Sequence, residues 1–203
     1  MDKHLSTRTL TQWKKSEISL RNYQNYINRK KDKFHLTIID LLYISNFKGG
    51  NATINEGEHD LKEKLENYSE LFIHIEDKFK NQTLAQTTNF DFEKLIEYIK
   101  KLLKLCHTKE TAIDGFKASF LSALLHSYFP NLIPILDRRL LINLNLVQQT
   151  DLQKNGQVKK IDSFYPILLA KIREISKLKK KTVRQIDKEY FIIKLPNWAK
   201  QTL

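Results

Sequence analysis

Asp137 is the residue whose type and position point most directly to chemistry. It follows a segment with two prolines, PNLIPIL (130–136), and precedes RRLLINLNL (138–146), which has the apolar spacing of a short helix. A carboxylate in this place accepts hydrogen bonds from the first amides of the helix, and the helix dipole favours its charged form. Asp137 can therefore cap a helix or stabilise a cationic transition state, and its position fits both roles.

The remaining titratable residues favour structural roles. His126 falls just off the apolar face of its segment, so we expect it to be hydrogen-bonded near the core. Arg184 and Asp187 lie one helical turn apart and predict a structural ion pair. Cys106 and His107 are adjacent and isolated, which does not match the spacing of a zinc site, so no metal and no cofactor are expected. The sequence also contains no Walker loop, Gly-x-Ser-x-Gly elbow or dinucleotide fingerprint.

Composition limits the class of protein. The 203 residues suffice for one domain with a substantial interior, and 41% of them are hydrophobic while 29% are charged. A single cysteine excludes a disulfide framework within the chain and favours a reducing compartment. No apolar run approaches the roughly 18 residues of a membrane span, and the N-terminal sequence MDKHLSTRTLTQWKK lacks a signal-peptide core. We therefore expect a cytoplasmic monomer without a membrane partner.

The elements that must position Asp137 are almost entirely helical in pattern. Five glycines and four prolines interrupt the chain, and strand alternation is scarce, so the sequence predicts an all-α fold. The segment before Asp137 predicts a helix that buries Leu121, Leu124, Leu125 and Tyr128. Further helices are predicted from Ser16 through Asn28, at about 61–75 as one helix or a pair, from Asp91 to Leu105, at 138–146, at about 162–178, and after a Thr182 cap to about Ile193.

The net charge of +12 is unevenly distributed along the chain. Residues 1–33 carry nine Lys and Arg against three acidic residues, and residues 154–203 carry thirteen against four. Residues 34–153, by contrast, are slightly acidic. Two basic ends around a near-neutral centre suit a polyanion bound across the molecule. A solvated, lysine-rich surface would have the same distribution, so charge alone leaves both interpretations open.

The segment GFKASFLSALLHSYFPNLIPILDRR (115–139) resembles the core of helix-hairpin-helix DNA glycosylases, in which a Gly-rich hairpin and a helix are followed by a proline and then an aspartate. Gly115-Phe116-Lys117 looks like a degenerate Gly-hydrophobic-Gly hairpin. The rest resembles a bacterial branch that reads "SA-hydrophobic-LH…P…P-I-hydrophobic-D-x-R". The resemblance implies a compact, two-lobed helical fold over residues 1–203, with hairpin and catalytic core at about 93–146 and the terminal helices in the other lobe.

Two outlying segments are similar to the same branch. ISNFKGGNATI (44–54) resembles an Asn-rich helix junction that faces DNA. TVRQIDKEYF (182–191) resembles a C-terminal "R-x-hydrophobic-D-x-x-hydrophobic-W" helix, with Phe191 in place of the tryptophan. With these segments the resemblance spans about residues 34–192, and the 115–139 core is its most specific part.

The chemistry that the resemblance implies is cleavage of an N-glycosidic bond in double-stranded DNA. The modified base leaves the stack and enters a pocket, and Asp137 stabilises the oxocarbenium character at C1′. The hairpin residues Gly115, Phe116 and Lys117 contact phosphates, together with Lys48, Arg138 and Arg139. In the 46–51 segment, Phe47 either fills the gap left by the base or packs in the core beside the Gly49–Gly50 turn, and Asn46 or Asn51 bonds the unpaired partner base.

Lys117 has two interpretations within the same resemblance. It lies 20 residues before Asp137, close to the spacing at which bifunctional members place the lysine that attacks C1′. Alignment of SALLH with the bacterial branch instead puts Lys117 on the second glycine of the hairpin and Ala123 within the helix. The second alignment favours a phosphate contact for Lys117 and a monofunctional enzyme.

The function implied is therefore a DNA glycosylase that excises a damaged or modified base. Small members of this kind include some that attack modified phage DNA, so the resemblance extends to a role in antiviral defence as well as in DNA repair. A non-enzymatic DNA-binding or damage-recognition protein on the same scaffold is the first alternative, and Lys117 in place of a glycine favours it. A helical protein-interaction module is the second.

Overall fold

Helices make up most of the chain and no strand accompanies them in the described residues. The computed structural model describes residues 7–49 and 54–200. The all-α fold predicted from the sequence is confirmed. The helices of the described residues are α1 (Thr7–Ile27), α2 (Ile38–Lys48), α3 (Glu58–Phe79), α4 (Asn89–Leu105), α5 (Ala118–Tyr128), α6 (Arg138–Asn143), α7 (Tyr165–Lys179), α8 (Val183–Phe191) and α9 (Asn197–Lys200), with 3-10 turns at Leu84–Gln86, Gln149–Asp151 and Ile161–Phe164.

Most helix positions follow the apolar spacing, and the exceptions are at the ends. Residues 61–75 form part of the single long helix α3 rather than a pair. Thr182 caps α8 as expected, because its side chain accepts a hydrogen bond from the Gln185 amide at 3.2 Å. The start of α1 was predicted wrongly at Ser16. That residue lies inside the helix, where its hydroxyl donates to the Gln12 carbonyl at 3.1 Å instead of capping.

Helix α5 is the central element of the fold. Its predicted apolar face is confirmed, and the remainder of the helix from Leu121 through Tyr128 is buried as well. It packs against α1 and α2 from the N-terminal part of the chain. The buried side chains form one continuous cluster from Tyr23 to Ala199, so the division into two lobes stays a prediction. None of the described helices combines the length and the apolar character that crossing a bilayer requires.

A buried polar cluster ties α5 to the two N-terminal helices. The Asp40 carboxylate accepts the hydroxyl of Tyr23 at 2.8 Å and that of Tyr128 at 2.9 Å. Lys30 lies 3.0 Å from the same carboxylate, and the Thr37 amide donates to it at 2.8 Å. Burial raises the pKa of Tyr128, and the charge of Asp40 raises it further, so the phenol remains a donor. The cluster therefore fixes three elements around one fully bonded carboxylate.

A tight turn precedes α5 at the predicted hairpin. The Phe116 amide donates to the Ile113 carbonyl at 3.0 Å, and Gly115 adopts the left-handed region with φ +74°. A side chain at that φ would be strained, which explains the glycine. The Phe116 ring points inward and packs edge-on against Tyr68. A helix-hairpin-helix motif in the strict sense stays a prediction, since the α4–α5 connection contains further turns.

Candidate functional site

A pocket opens where α1, α2 and α8 meet the residues around the start of α6. We call it the aromatic pocket, because three rings form its walls: Trp13, Phe47 and Phe191. The Trp13 and Phe191 rings lie 5.4 Å apart between centroids in a tilted arrangement. Two carboxylates line the same space, Asp137 and Asp187. The cavity volume is about 80 Å³, several times what one water molecule needs.

Asp137 caps α6 and still faces the pocket. One carboxylate oxygen accepts the Arg139 amide at 2.8 Å, which is the capping bond expected from the sequence. The other oxygen lies 3.7 Å from the Lys48 ammonium. The Asp137 side chain is 26% exposed, so a ligand can reach it. Capping and chemistry are therefore compatible, because they engage different oxygens of the same group.

The end of α2 brings Lys48 to Asp137. The helix stops at Gly49, which takes the left-handed conformation with φ +105° and donates its amide to the Asn46 carbonyl at 3.4 Å. No heavy atom lies within 4 Å of where a Cβ would be, so the backbone conformation and not crowding demands a glycine. The resemblance predicts that Lys48 contacts DNA phosphates, whereas in the structure its ammonium lies beside the Asp137 carboxylate.

Arg138 and Arg139 are held by the C-terminal part of the chain. The Arg139 guanidinium donates to the carbonyls of Phe191 and Ile193, both at 2.9 Å, and lies over the Phe191 ring. Arg138 donates to the Ala199 carbonyl at 2.7 Å. Burial lowers the pKa of both guanidinium groups, while the charge of Asp137 acts in the opposite direction. These bonds fasten α6 to the C-terminal part of the chain, and the phosphate contacts of Arg138 and Arg139 stay predictions.

A second depression adjoins the aromatic pocket. We call it the basic groove, and Gln12, Asp137 and Phe191 line both spaces. Its basic residues come from the two ends of the described chain and from the start of α6: Arg8, Arg138, Arg139, Lys194 and Lys200. The fold thus brings Arg8 from the N-terminal basic segment and Lys194 and Lys200 from the C-terminal one to the same surface as Asp137.

The predicted ion pair between Arg184 and Asp187 is wrong. Arg184 donates to Glu17 on α1 at 3.2 Å and lies over the Trp13 ring at 3.9 Å from its centroid. The Asp187 carboxyl is 2% exposed and hydrogen-bonds to no described residue. Burial raises its pKa to about 7, and the Arg184 charge only partly offsets this. The ring of Trp13 and the carboxylate of Glu17 draw the guanidinium away, which spacing along α8 could not indicate.

His126 is buried near the core, as expected. Its Nδ1 donates to the Ile133 carbonyl at 2.7 Å, and Nε2 has no hydrogen-bond partner in the described part of the chain. Burial lowers the pKa of His126 to about 3, the charge of Arg184 lowers it further, and the Ile133 carbonyl acts in the opposite direction. The imidazole is neutral at physiological pH and does not line the aromatic pocket.

The other predicted DNA contacts are dispersed. Lys117 is exposed at the start of α5 and lies outside the aromatic pocket, whereas Phe116 is in the core and offers only its backbone. Asn46 is exposed and donates to the Ser19 hydroxyl at 3.3 Å. Phe47 is half-buried in the pocket wall, which fits either of its two interpretations. Gly50 and Asn51 lie outside the described residues.

Sequence reasoning missed part of the site. Trp13 was not singled out, although it lies on one helical face with Leu20, Tyr23 and Ile27 and this spacing marks a buried stripe. The basic residues Arg8, Lys194 and Lys200 could be recognised only as charge at the chain ends. Nothing in the local sequence indicates that these residues converge.

Comparisons with protein-family models, with curated proteins and with solved structures give no match. The geometry of the aromatic pocket and the basic groove therefore carries the functional argument.

Proposed function

We propose that the protein is a DNA glycosylase that excises a modified base, with Asp137 as the catalytic carboxylate. The observation that carries the proposal is the position of Asp137, which lines both the aromatic pocket and the basic groove. A base-excising enzyme needs its catalytic group at the boundary between a pocket for the base and a surface for the phosphates. The base must be enclosed on one side of the sugar while the phosphates on the other side are neutralised.

The aromatic pocket suits a base that has left the DNA stack. Aromatic walls replace part of the stacking that the base loses, and the half-buried Phe47 and Phe191 provide such walls beside the buried Trp13. With the base there, its sugar lies at the pocket mouth near Asp137. The carboxylate then stabilises positive charge at C1′ and the ring oxygen as the N-glycosidic bond breaks. It also orients the water that adds to C1′.

The basic groove suits the DNA backbone. Arg8, Lys194 and Lys200 are exposed along it. Each cation that neutralises a phosphate releases counterions and contributes about 0.9 to the slope of log K against log salt. Arg138 and Arg139 shape the floor of the groove, because their side chains hold the carbonyls of the C-terminal segment.

The same geometry supports a monofunctional enzyme without a Schiff base from Lys117. Lys117 is exposed and does not line the pocket that contains Asp137. Lys48 is the lysine that does, at 3.7 Å from the carboxylate. Borohydride treatment with abasic DNA is expected to trap no covalent complex. If a complex forms, its loss in Lys117→Ala or in Lys48→Ala identifies the amine and overturns the monofunctional assignment.

The proposal is tested by mass spectrometry of free bases released from DNA that carries varied modifications, phage genomes included. The protein is expected to release at least one base, and Asp137→Asn is expected to abolish release while DNA affinity stays within about twofold. Asp151→Asn is the matched control, because that carboxylate also accepts a backbone amide but lies outside the pocket. If no base is released from any DNA in the panel, the proposed glycosylase activity is refuted.

A non-enzymatic DNA-binding protein is the second candidate, favoured by Lys117 at the place of a hairpin glycine. It predicts salt-dependent binding to modified DNA with no base release. Binding that persists at several hundred millimolar salt would contradict both candidates and favour a protein-interaction module. Repair and phage defence differ in the released base: a lesion common to cellular DNA indicates repair, and a base confined to phage genomes indicates defence.

A further inference from the structure

The Asp187 carboxyl is a buried polar group without a partner in the described chain. It is 2% exposed, it lines the aromatic pocket, and neither of its oxygens makes a hydrogen bond to a described residue. Buried polar side chains in native proteins nearly always have a partner. A carboxyl that lacks one and borders a pocket is therefore a candidate for binding what the pocket holds.

The neighbours of Asp187 are engaged elsewhere. Arg184 donates to Glu17, Lys48 lies by Asp137, and the Tyr165 hydroxyl donates to the Pro134 carbonyl at 2.9 Å. The Ile135 amide favours the charged carboxylate but makes no hydrogen bond of standard geometry to it. The charged and titratable groups around the carboxyl, from every element packed against it, are Arg184 on α8, Glu17 on α1, Lys48 on α2, Asp137 before α6 and Tyr165 on α7.

The protonation of Asp187 determines what it can recognise. Burial raises its pKa to about 7, with Asp137 and Glu17 adding to the rise and Arg184 opposing it. Around neutral pH a large part of the population is then a neutral carboxylic acid. Such a group offers a hydroxyl donor next to a carbonyl acceptor, whereas a carboxylate can only accept.

We infer that Asp187 recognises the hydrogen-bonding edge of a heterocyclic base in the aromatic pocket, donating to one ring atom or carbonyl and accepting from the adjacent N–H. The ligand class is a nucleobase with a donor and an acceptor side by side on its exposed edge. The identity of the ligand rests on the proposed function. The role of Asp187 is base recognition, which is separate from the role of Asp137 at the sugar.

The test uses free nucleobases and the full-length wild-type protein, because free bases have no N-glycosidic bond to cleave and the charge of Asp137 contributes to the raised pKa of Asp187. Cytosine, uracil, adenine, guanine and hypoxanthine are titrated with ligand-observed NMR at pH 6 and pH 8. At least one base is expected to bind, with about tenfold lower affinity at pH 8, because roughly a tenth of the carboxyl stays protonated one unit above its pKa. Binding by a base whose edge nitrogens are methylated is expected to be at least tenfold weaker at pH 6.

Two variants in the same background separate recognition from folding, and circular dichroism checks that both remain folded. Asp187→Asn keeps a donor and an acceptor without a titrating group, so binding is expected to persist and to lose its pH dependence. Asp187→Ala is expected to weaken binding at least tenfold, and if this variant does not fold, the pH response of Asp187→Asn decides. Equal affinity in Asp187→Ala, the same pH dependence in Asp187→Asn, or no binding of any base overturns the inference.

Failure of this inference differs from failure of the proposed function. If the Asp187 variants release the same bases from DNA at the same rate as the wild type, the inference about Asp187 is wrong and the proposed glycosylase activity stands. Asp187-dependent binding of free bases without any release from DNA removes the glycosylase and leaves a base-binding pocket.

Discussion

Two buried aspartates in this protein have opposite surroundings. Asp40 accepts hydrogen bonds from two tyrosine hydroxyls, a lysine and a backbone amide, and no part of it is exposed. Asp187 is almost equally buried and has no hydrogen-bond partner in the described residues. A carboxylate with its hydrogen bonds satisfied joins helices, whereas a buried carboxyl without a partner destabilises the fold.

The same contrast extends to the residues around each group. The Asp40 cluster connects α1, α2 and α5 away from the pocket, and its donors are fully used within the chain. The aromatic pocket has Asp137, Lys48 and Asp187 beside three rings; the Lys48–Asp137 pair spans 3.7 Å, and the Asp187 carboxyl has no hydrogen-bond partner in the described residues. Asp40 and Asp187 thus differ in hydrogen bonding although both are almost completely buried.

The largest effect is expected for Asp40→Ala. Removal of the carboxylate leaves the Lys30 ammonium, which is 8% exposed, together with two buried phenols, so the free energy of unfolding should fall by about 3–5 kcal/mol. Urea unfolding at pH 7 measures it. Tyr23→Phe removes one donor and is expected to cost about 1 kcal/mol. A loss below 1 kcal/mol for Asp40→Ala would show that the cluster does not hold the three helices together.

An intermediate effect of opposite sign is expected for Asp187→Asn. Because the folded pKa of about 7 lies above the unfolded value of 3.8, the contribution of Asp187 to stability is present below pH 3.8 and is lost as the pH rises through 7. The variant should therefore gain about 2 kcal/mol relative to the wild type between pH 5 and pH 8. Denaturant unfolding of both proteins at the two pH values measures the difference.

Comparison of the two proteins at each pH also removes the contribution of His126, whose lowered pKa acts in the opposite direction below pH 6.5 and is common to both. If the difference in free energy of unfolding between the two proteins does not change with pH, the pKa of Asp187 is not raised in the folded protein. The contrast with Asp40 would then disappear.

The smallest effect on stability is expected for Lys48→Gln. The pair with Asp137 spans 3.7 Å and is partly exposed, so the free energy of unfolding should change by less than about 1 kcal/mol. DNA affinity should nevertheless fall, and the salt slope should decrease by about one unit if Lys48 also contacts a phosphate. Fluorescence anisotropy over a salt series measures this, with the exposed Lys100→Gln on α4 as control. Equal salt slopes for the Lys48→Gln and Lys100→Gln variants would show that Lys48 contacts no phosphate.

Helix positions were predictable because apolar spacing and caps are local. The α5 face, the Thr182 cap and the Asp137 cap all follow from residues within one or two turns. The start of α1 was missed because Ser16 looks like a cap in isolation, while its helix continues backwards to Thr7. The bonding of Arg184 was missed because its partners, Trp13 and Glu17, are distant in sequence.

The sequence by itself determined an all-α chain with a central buried helix, a turn at Gly115 and a capping aspartate at 137. These depend on side-chain periodicity and backbone preference, which act over a few residues. Only the tertiary structure decided that Lys48 lies beside Asp137, that Arg8, Lys194 and Lys200 line one groove, and that Asp187 has no hydrogen-bond partner among the described residues. Those outcomes depend on helix packing between distant segments, where competing partners for each charge are settled by geometry.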